Sequence, residues 1–99
     1  IVTDHHLPGE VLPPADAVID PHRADCPSEF KEICGAEVVF RLICVAEGAE
    51  PEELLSEYAD ILSVAVTADI MPLKGENRSI VKDGIKKLKV RRLRGFRQL

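Results

Sequence analysis

Apolar residues in this 99-residue chain fall into runs separated by proline, glycine and acidic positions. Ile1-Val2-Thr3 followed at once by Asp4 is the pattern of a buried strand at its C-terminal end. Pro8-Gly9 and Pro13-Pro14 mark turns. Ala17-Val18-Ile19-Asp20, closed by Pro21, reads as a second short buried strand, and Pro27-Ser28 opens a loop that leads into helix. From Ile33 to Glu47 most positions are apolar, over a length that exceeds a normal strand. The run predicts a mostly buried helix stopping at Gly48. Pro51 suits the first turn of another helix, with Glu52 and Glu53 at its positive dipole end. Leu54, Leu55, Tyr58, Ile61, Leu62 and Ala65 then keep helical spacing. Met71-Pro72-Leu73 breaks the pattern ahead of a Gly75-Glu76-Asn77-Arg78 turn. Ile80, Val81, Ile85 and Leu88 predict a third helix over most of 77–90. One or two short strands with about three helices predict an α/β fold carrying an incomplete sheet.

Composition narrows the class. The chain is 45% hydrophobic and 30% charged, which reads as soluble and globular rather than disordered. Its aromatic residues are only Phe30, Phe40, Tyr58 and Phe96, so the core is expected to be aliphatic. No run approaches the roughly 20 apolar residues that span a bilayer, since Val38–Ala46 is interrupted by Arg41. No basic stretch precedes an apolar run, as a signal peptide would require. Cys26, Cys34 and Cys44 are odd in number and lack C-x-x-C spacing, which fits unpaired thiols in a cytoplasmic protein. A chain that opens on a strand end, without Met, is expected to be cut from a larger fold.

Charge is segregated. Residues 1–73 hold 15 acids and 3 bases (Arg23, Lys31 and Arg41), whereas residues 74–99 hold 10 bases and 2 acids. Such polarity suits a nucleic-acid-facing segment joined to an acidic body, or equally a solvated helix face.

Two places could carry chemistry. Asp4-His5-His6 follows a strand end directly, where ligands of open α/β folds collect, and neutral imidazole is a common metal ligand. Two adjacent histidines on extended backbone point to different sides, so one would bind metal and the other face substrate, with Asp4 orienting an imidazole. Asp69 emerges from the apolar run Ile61–Val66, where a bare charge needs a partner or a cation. A turn or helix-terminal Asp is the plainer account of it. His22, within Pro21-His22-Arg23, reads as an exposed loop residue. The chain contains no P-loop, G-x-G-x-x-G, G-x-S-x-G or H-E-x-x-H motif.

These pieces, in order, resemble the DHH phosphoesterase superfamily and, within it, the RecJ exonucleases. Val2-Thr3-Asp4-His5-His6 and Ala68-Asp69 suit the wider superfamily. Asp25-Cys26-Pro27 leading to Phe30-Lys31, Gly35 to Leu42, and Gly75-Glu76-Asn77-Arg78 point to the RecJ branch. The resemblance implies a partial DHH domain over 1–99, part of a parallel-sheet fold. It implies His5 and Asp69 as metal ligands and Asp4 and His6 as catalytic residues, His6 facing the scissile phosphate. The implied cofactor is manganese or magnesium in a paired-metal site, and the implied substrate is single-stranded DNA. Glu37 stands where the family usually has a small residue, and Val66 and Thr67 are in exchanged order. The family's upstream Asp-x-Asp pair and bridging Asp have no counterpart in this sequence, nor do its later DNA-gripping domains. The isolated chain is therefore expected to be inactive, and to self-associate through an unpaired strand edge. A phosphoesterase of short oligonucleotides or pyrophosphate, or a non-catalytic folding or binding unit, is the competing expectation. Arg78, Lys82, Lys86 and Lys89 are the candidate DNA contacts, the three lysines sharing one helix face by their spacing.

Overall fold

The computed structural model describes residues 1–90 as β1 (Val2–Thr3), β2 (Val18–Ile19), α1 (Gly35–Glu47), α2 (Pro51–Ala68) and α3 (Glu76–Val90). Arg91, Arg92, Arg94 and Arg97 of the basic end lie outside the described residues. β1 and β2 pair in parallel, Val2 opposite Val18 and Thr3 opposite Ile19. The Val2 N–H donates to the Ala17 carbonyl at 2.9 Å and the Asp4 N–H to that of Ile19 at 3.0 Å. Because the strands are parallel, Asp4-His5-His6 and Asp20-Pro21-His22 leave the sheet at the same carboxyl edge. The class is α/β, as the patterning implied.

α1 starts later than its apolar run. Cys34 is extended at the N-cap, and Glu37 folds back to accept the Cys34 N–H at 3.1 Å, the acid half of a capping box. Ile33 therefore belongs to the approach. α1 is also less buried than expected: Val38, Phe40 and Cys44 face the core, but Val39 and Val45 are exposed. It ends at Gly48, which is left-handed (φ 65°), a conformation that favours glycine.

α2 begins with Pro51 in its first turn and Glu52 and Glu53 beside it. Its far end closes in a Schellman motif, with Asp69 as the cap. The Ile70 N–H donates to the Thr67 carbonyl and the Met71 N–H to that of Val66, both at 3.1 Å. Ile70 takes the left-handed position (φ 53°) that glycine usually fills, a strained state for a β-branched residue.

Cys34, Phe40, Cys44, Leu62, Val66 and Ile80 form the buried core, with Leu54, Tyr58, Met71 and Val81 packed against it. Phe40 and Tyr58 meet edge to face at 5.9 Å between centroids. Aliphatic residues dominate, as composition required. α2 and α3 share the most extensive interface. They cross on small residues: a Cβ added at Gly84 would lie 2.3 Å from Ser63 Cβ and Oγ and 2.4 Å from the Ala59 carbonyl oxygen. No described helix is long and apolar enough to cross a membrane.

The crossing yields a prediction. Gly84→Ala gains about 1 kcal/mol of helix propensity, but forcing a methyl into backbone contact costs about 1–3 kcal/mol or more. Urea unfolding should therefore show a net loss of stability. A variant as stable as the wild type would mean that the helices are not this close.

Candidate metal centre

The site is built from the turn after β1. Asp4 Oδ1 accepts the His5 N–H at 2.7 Å, the His6 N–H at 3.3 Å and a bond with His6 Nδ1 at 2.7 Å. An aspartate that accepts backbone N–H groups just ahead of itself folds the chain into a tight turn, so the backbone leaves strand geometry at once. The two imidazoles consequently lie side by side, centroids 4.3 Å apart, rather than on opposite sides as an extended backbone would place them. The His6 hydrogen bond, then the two backbone donors, hold the Asp4 carboxyl below its usual range. The same bond raises His6 above the usual imidazole value, with smaller electrostatic help from Asp69 and Asp20.

His5 turns the other way. Its Nε2 lies 3.1 Å from Asp69 Oδ2, with the imidazole largely buried and the carboxylate half-exposed. Two donors at neighbouring positions of an octahedral cation, with bonds of about 2.1 Å, lie about 3.0 Å apart. The imidazole and carboxylate thus have both the spacing and the chemistry of two ligands of one divalent ion. Asp4, His5 and His6 also offer ligand atoms within 4.8 Å of one another. Behind His5 stands the start of α1: a Cβ on Gly35 would meet His5 Cδ2 at 3.7 Å.

Other residues gather around this centre. Asp20, at the end of β2, is buried and its Oδ1 accepts the His22 N–H at 2.9 Å. The His22 ring is only 25% exposed, its Nδ1 3.8 Å from Asp20 Oδ1, so it is not the exposed loop residue that its neighbours suggested. The Asp20-Pro21-His22 turn resembles Asp4-His5-His6 one strand over, and burial decides the difference. Sequence reasoning missed Asp20; the acid directly after Ala17-Val18-Ile19 was the available signal.

The three bases of the acidic body serve the fold. Arg23 pairs with Asp25 and donates to the Val18 carbonyl; Lys31 donates to the Pro21 and Cys26 carbonyls; Arg41 pairs with Glu76. Arg78, Lys82, Lys86 and Lys89 are instead exposed along α3, four, four and three residues apart. Their spacing places them on one side of the helix.

The sequence profile of the DHH family, N-terminal domain, matches residues 1–66. The chain belongs to the DHH family. Within it, the chain is RecJ-like along its length. It is 35% identical to the single-stranded-DNA-specific exonuclease RecJ of Dickeya dadantii, over 100% of this chain and 19% of that protein. To the RecJ of Bacillus subtilis it is 37% identical, over 100% of this chain and 12% of the relative. To that of Thermus thermophilus it is 38% identical, over 100% and 14%. The chain spans less than a fifth of the length of these relatives. No solved structure matches it.

Glu37 lies in the first turn of α1. The side chain is buried at 1% exposure and its Oε2 has no hydrogen-bond donor among the described residues. Burial pushes the carboxyl up from its ordinary value, and nearby Glu76 adds to the rise, against the Cys34 bonds and Arg41. Folding thus strengthens proton binding at Glu37. The resulting stability is complete below the unfolded value of about 4.3 and is lost as pH rises through the higher folded value. Glu37→Gln keeps an acceptor for the Cys34 N–H and removes the charge. Denaturation midpoints should fall less steeply toward alkaline pH than in the wild type, leaving the variant the more stable there. Parallel profiles would contradict a buried, proton-holding Glu37.

Proposed function

We propose that this chain supplies part of the metal-dependent active site of an exonuclease acting on single-stranded DNA. The observation that carries the reading is the 3.1 Å meeting of His5 and Asp69 at the carboxyl edge of a parallel sheet. The similarity to single-stranded-DNA-specific RecJ exonucleases over the whole chain supplies the substrate class. His5 Nε2 and Asp69 Oδ2 would hold a manganese or magnesium ion. Bound there as one of the family's pair, such an ion would supply Lewis-acid chemistry to the phosphodiester, the attacking water and the leaving oxygen.

The chain's own residues orient the reaction. Asp4 tethers His6 through Nδ1, which leaves His6 Nε2 as the ring nitrogen that would meet a phosphate oxygen. The acidic surroundings of Asp4, Asp20 and Asp69 repel a polyanion unless cations are present, so substrate and metal bind in concert. The exposed α3 face carrying Arg78, Lys82, Lys86 and Lys89 attracts the phosphate backbone without reading sequence.

Three outcomes are expected. In the full-length protein, His5→Ala and Asp69→Asn should each slow manganese-dependent digestion of labelled single strands by more than about 100-fold, because even outer partners of a ligand are worth about 10–100-fold. The 99-residue chain alone should digest nothing. Rates within a few-fold of wild type would remove both residues from the site, and preference for dinucleotides or pyrophosphate would select a small-substrate phosphoesterase. For the α3 face, reversing Lys82, Lys86 and Lys89 to Glu should flatten the salt dependence of single-strand affinity by roughly 0.7 in log–log slope per lost phosphate contact. An unchanged slope would return those lysines to a solvation role.

A further inference from the structure

His5 sits in the turn after β1 and Asp69 on a helix cap, so something must fix the distance between two separate segments. We propose that Asn77 is the positioning residue that does so; the inference deepens the metal-site reading above and rests on it. Asn77 is wholly buried in the first turn of α3. Its Nδ2 donates to the Glu32 carbonyl at 2.7 Å and to the Pro72 carbonyl at 3.1 Å. Pro72 lies three residues beyond Asp69, in the turn that leaves α2. Glu32 lies three residues before Gly35, where an added Cβ would come 3.7 Å from the His5 ring. One amide group therefore ties the segment bearing Asp69 to the segment backing His5.

Chemistry settles the orientation of that amide. Two carbonyl oxygens can be served only by the NH₂, which has two protons to give. Its Oδ1 is left buried with no hydrogen-bond donor among the described residues. An apolar side chain of similar volume would spare that oxygen its desolvation but would take the donor from both carbonyls and leave the two segments untied. Only a side chain with two donors on one nitrogen reaches both carbonyls. The same seam is crossed by Lys74–Glu32 at 3.3 Å and by Arg41–Glu76. Both pairs are solvent-accessible and hold weakly. Asn77 is the buried link.

The test uses the full-length protein. Asn77→Asp keeps the volume and removes both donors; Asn77→Ser keeps one donor on a shorter arm. Leu62→Ala, a core truncation in α2 that leaves the Asn77 hydrogen bonds untouched, controls for general destabilisation. In metal-free protein with ¹⁵N-labelled histidine, the His5 imidazole nitrogen shifts should move in Asn77→Asp and hold in Leu62→Ala. Manganese affinity, read from the paramagnetic resonance signal of the free ion, should fall about 10-fold or more in Asn77→Asp, less in Asn77→Ser, and not in Leu62→Ala. Unmoved His5 shifts overturn the proposal, as does a manganese affinity no lower than that of Leu62→Ala. If the wild type binds no manganese, the metal reading fails and the metal-free His5 shifts alone decide the role of Asn77. If Asn77→Asp does not fold, the same readouts on Asn77→Ser decide it.

Discussion

A carboxylate that caps a helix goes wherever the helix ends. Asp69 is such a residue, and the rest of this structure is arranged around where α2 stops. The Schellman turn through Ile70 and Met71 fixes the cap, and Met71 anchors it by packing on the core. α3 then crosses α2 at Gly84, closely enough that only a hydrogen fits between them. α1 covers the core from the other side through Phe40 and Cys44. Each contact restricts α2, and restricting α2 places the Asp69 carboxylate opposite His5. The left-handed Ile70 is the local cost of stopping there, and strain of this kind collects where geometry is dictated by function.

Electrostatics reinforces the reading. Asp4, Asp20 and Asp69 gather near the carboxyl edge of the sheet, where the histidines and any bound cation are the natural counter-charges. Arg23, Lys31 and Arg41 are spent on neighbouring carbonyls and carboxylates, so they hold loops in place rather than offer charge to a ligand. The exposed positive charge of the described residues is concentrated on α3. On the proposed function, an acidic centre that takes up cations and a basic helix on the same chain suit a polyanionic substrate.

Local features were legible in the sequence and long-range ones were not. Pro51 with Glu52 and Glu53 announced α2, Gly48 the end of α1, and apolar spacing the third helix, because each signal acts within a turn or two of itself. The α1 start was misplaced by two residues because Cys34 and Glu37 form a cap that hydrophobicity does not reveal. Nor does hydrophobicity reveal that Glu37, an acid inside an apolar run, is buried. His22 was misjudged because the Asp20 carboxylate that accepts its N–H, and so shapes its turn, was itself overlooked. Nothing in residue spacing joins His5 to Asp69 or Asn77 to Glu32. Family resemblance suggested the first pairing; only three-dimensional packing supplies the second.

The most direct measurement is pulsed electron paramagnetic resonance on the manganese-loaded full-length protein, read for hyperfine coupling to nitrogen. The account predicts coupling from a directly bound imidazole nitrogen, abolished by His5→Ala and retained in His22→Ala. An ion that shows no nitrogen coupling, or coupling that survives loss of His5, would contradict the assignment of His5 and Asp69 as a shared cation site.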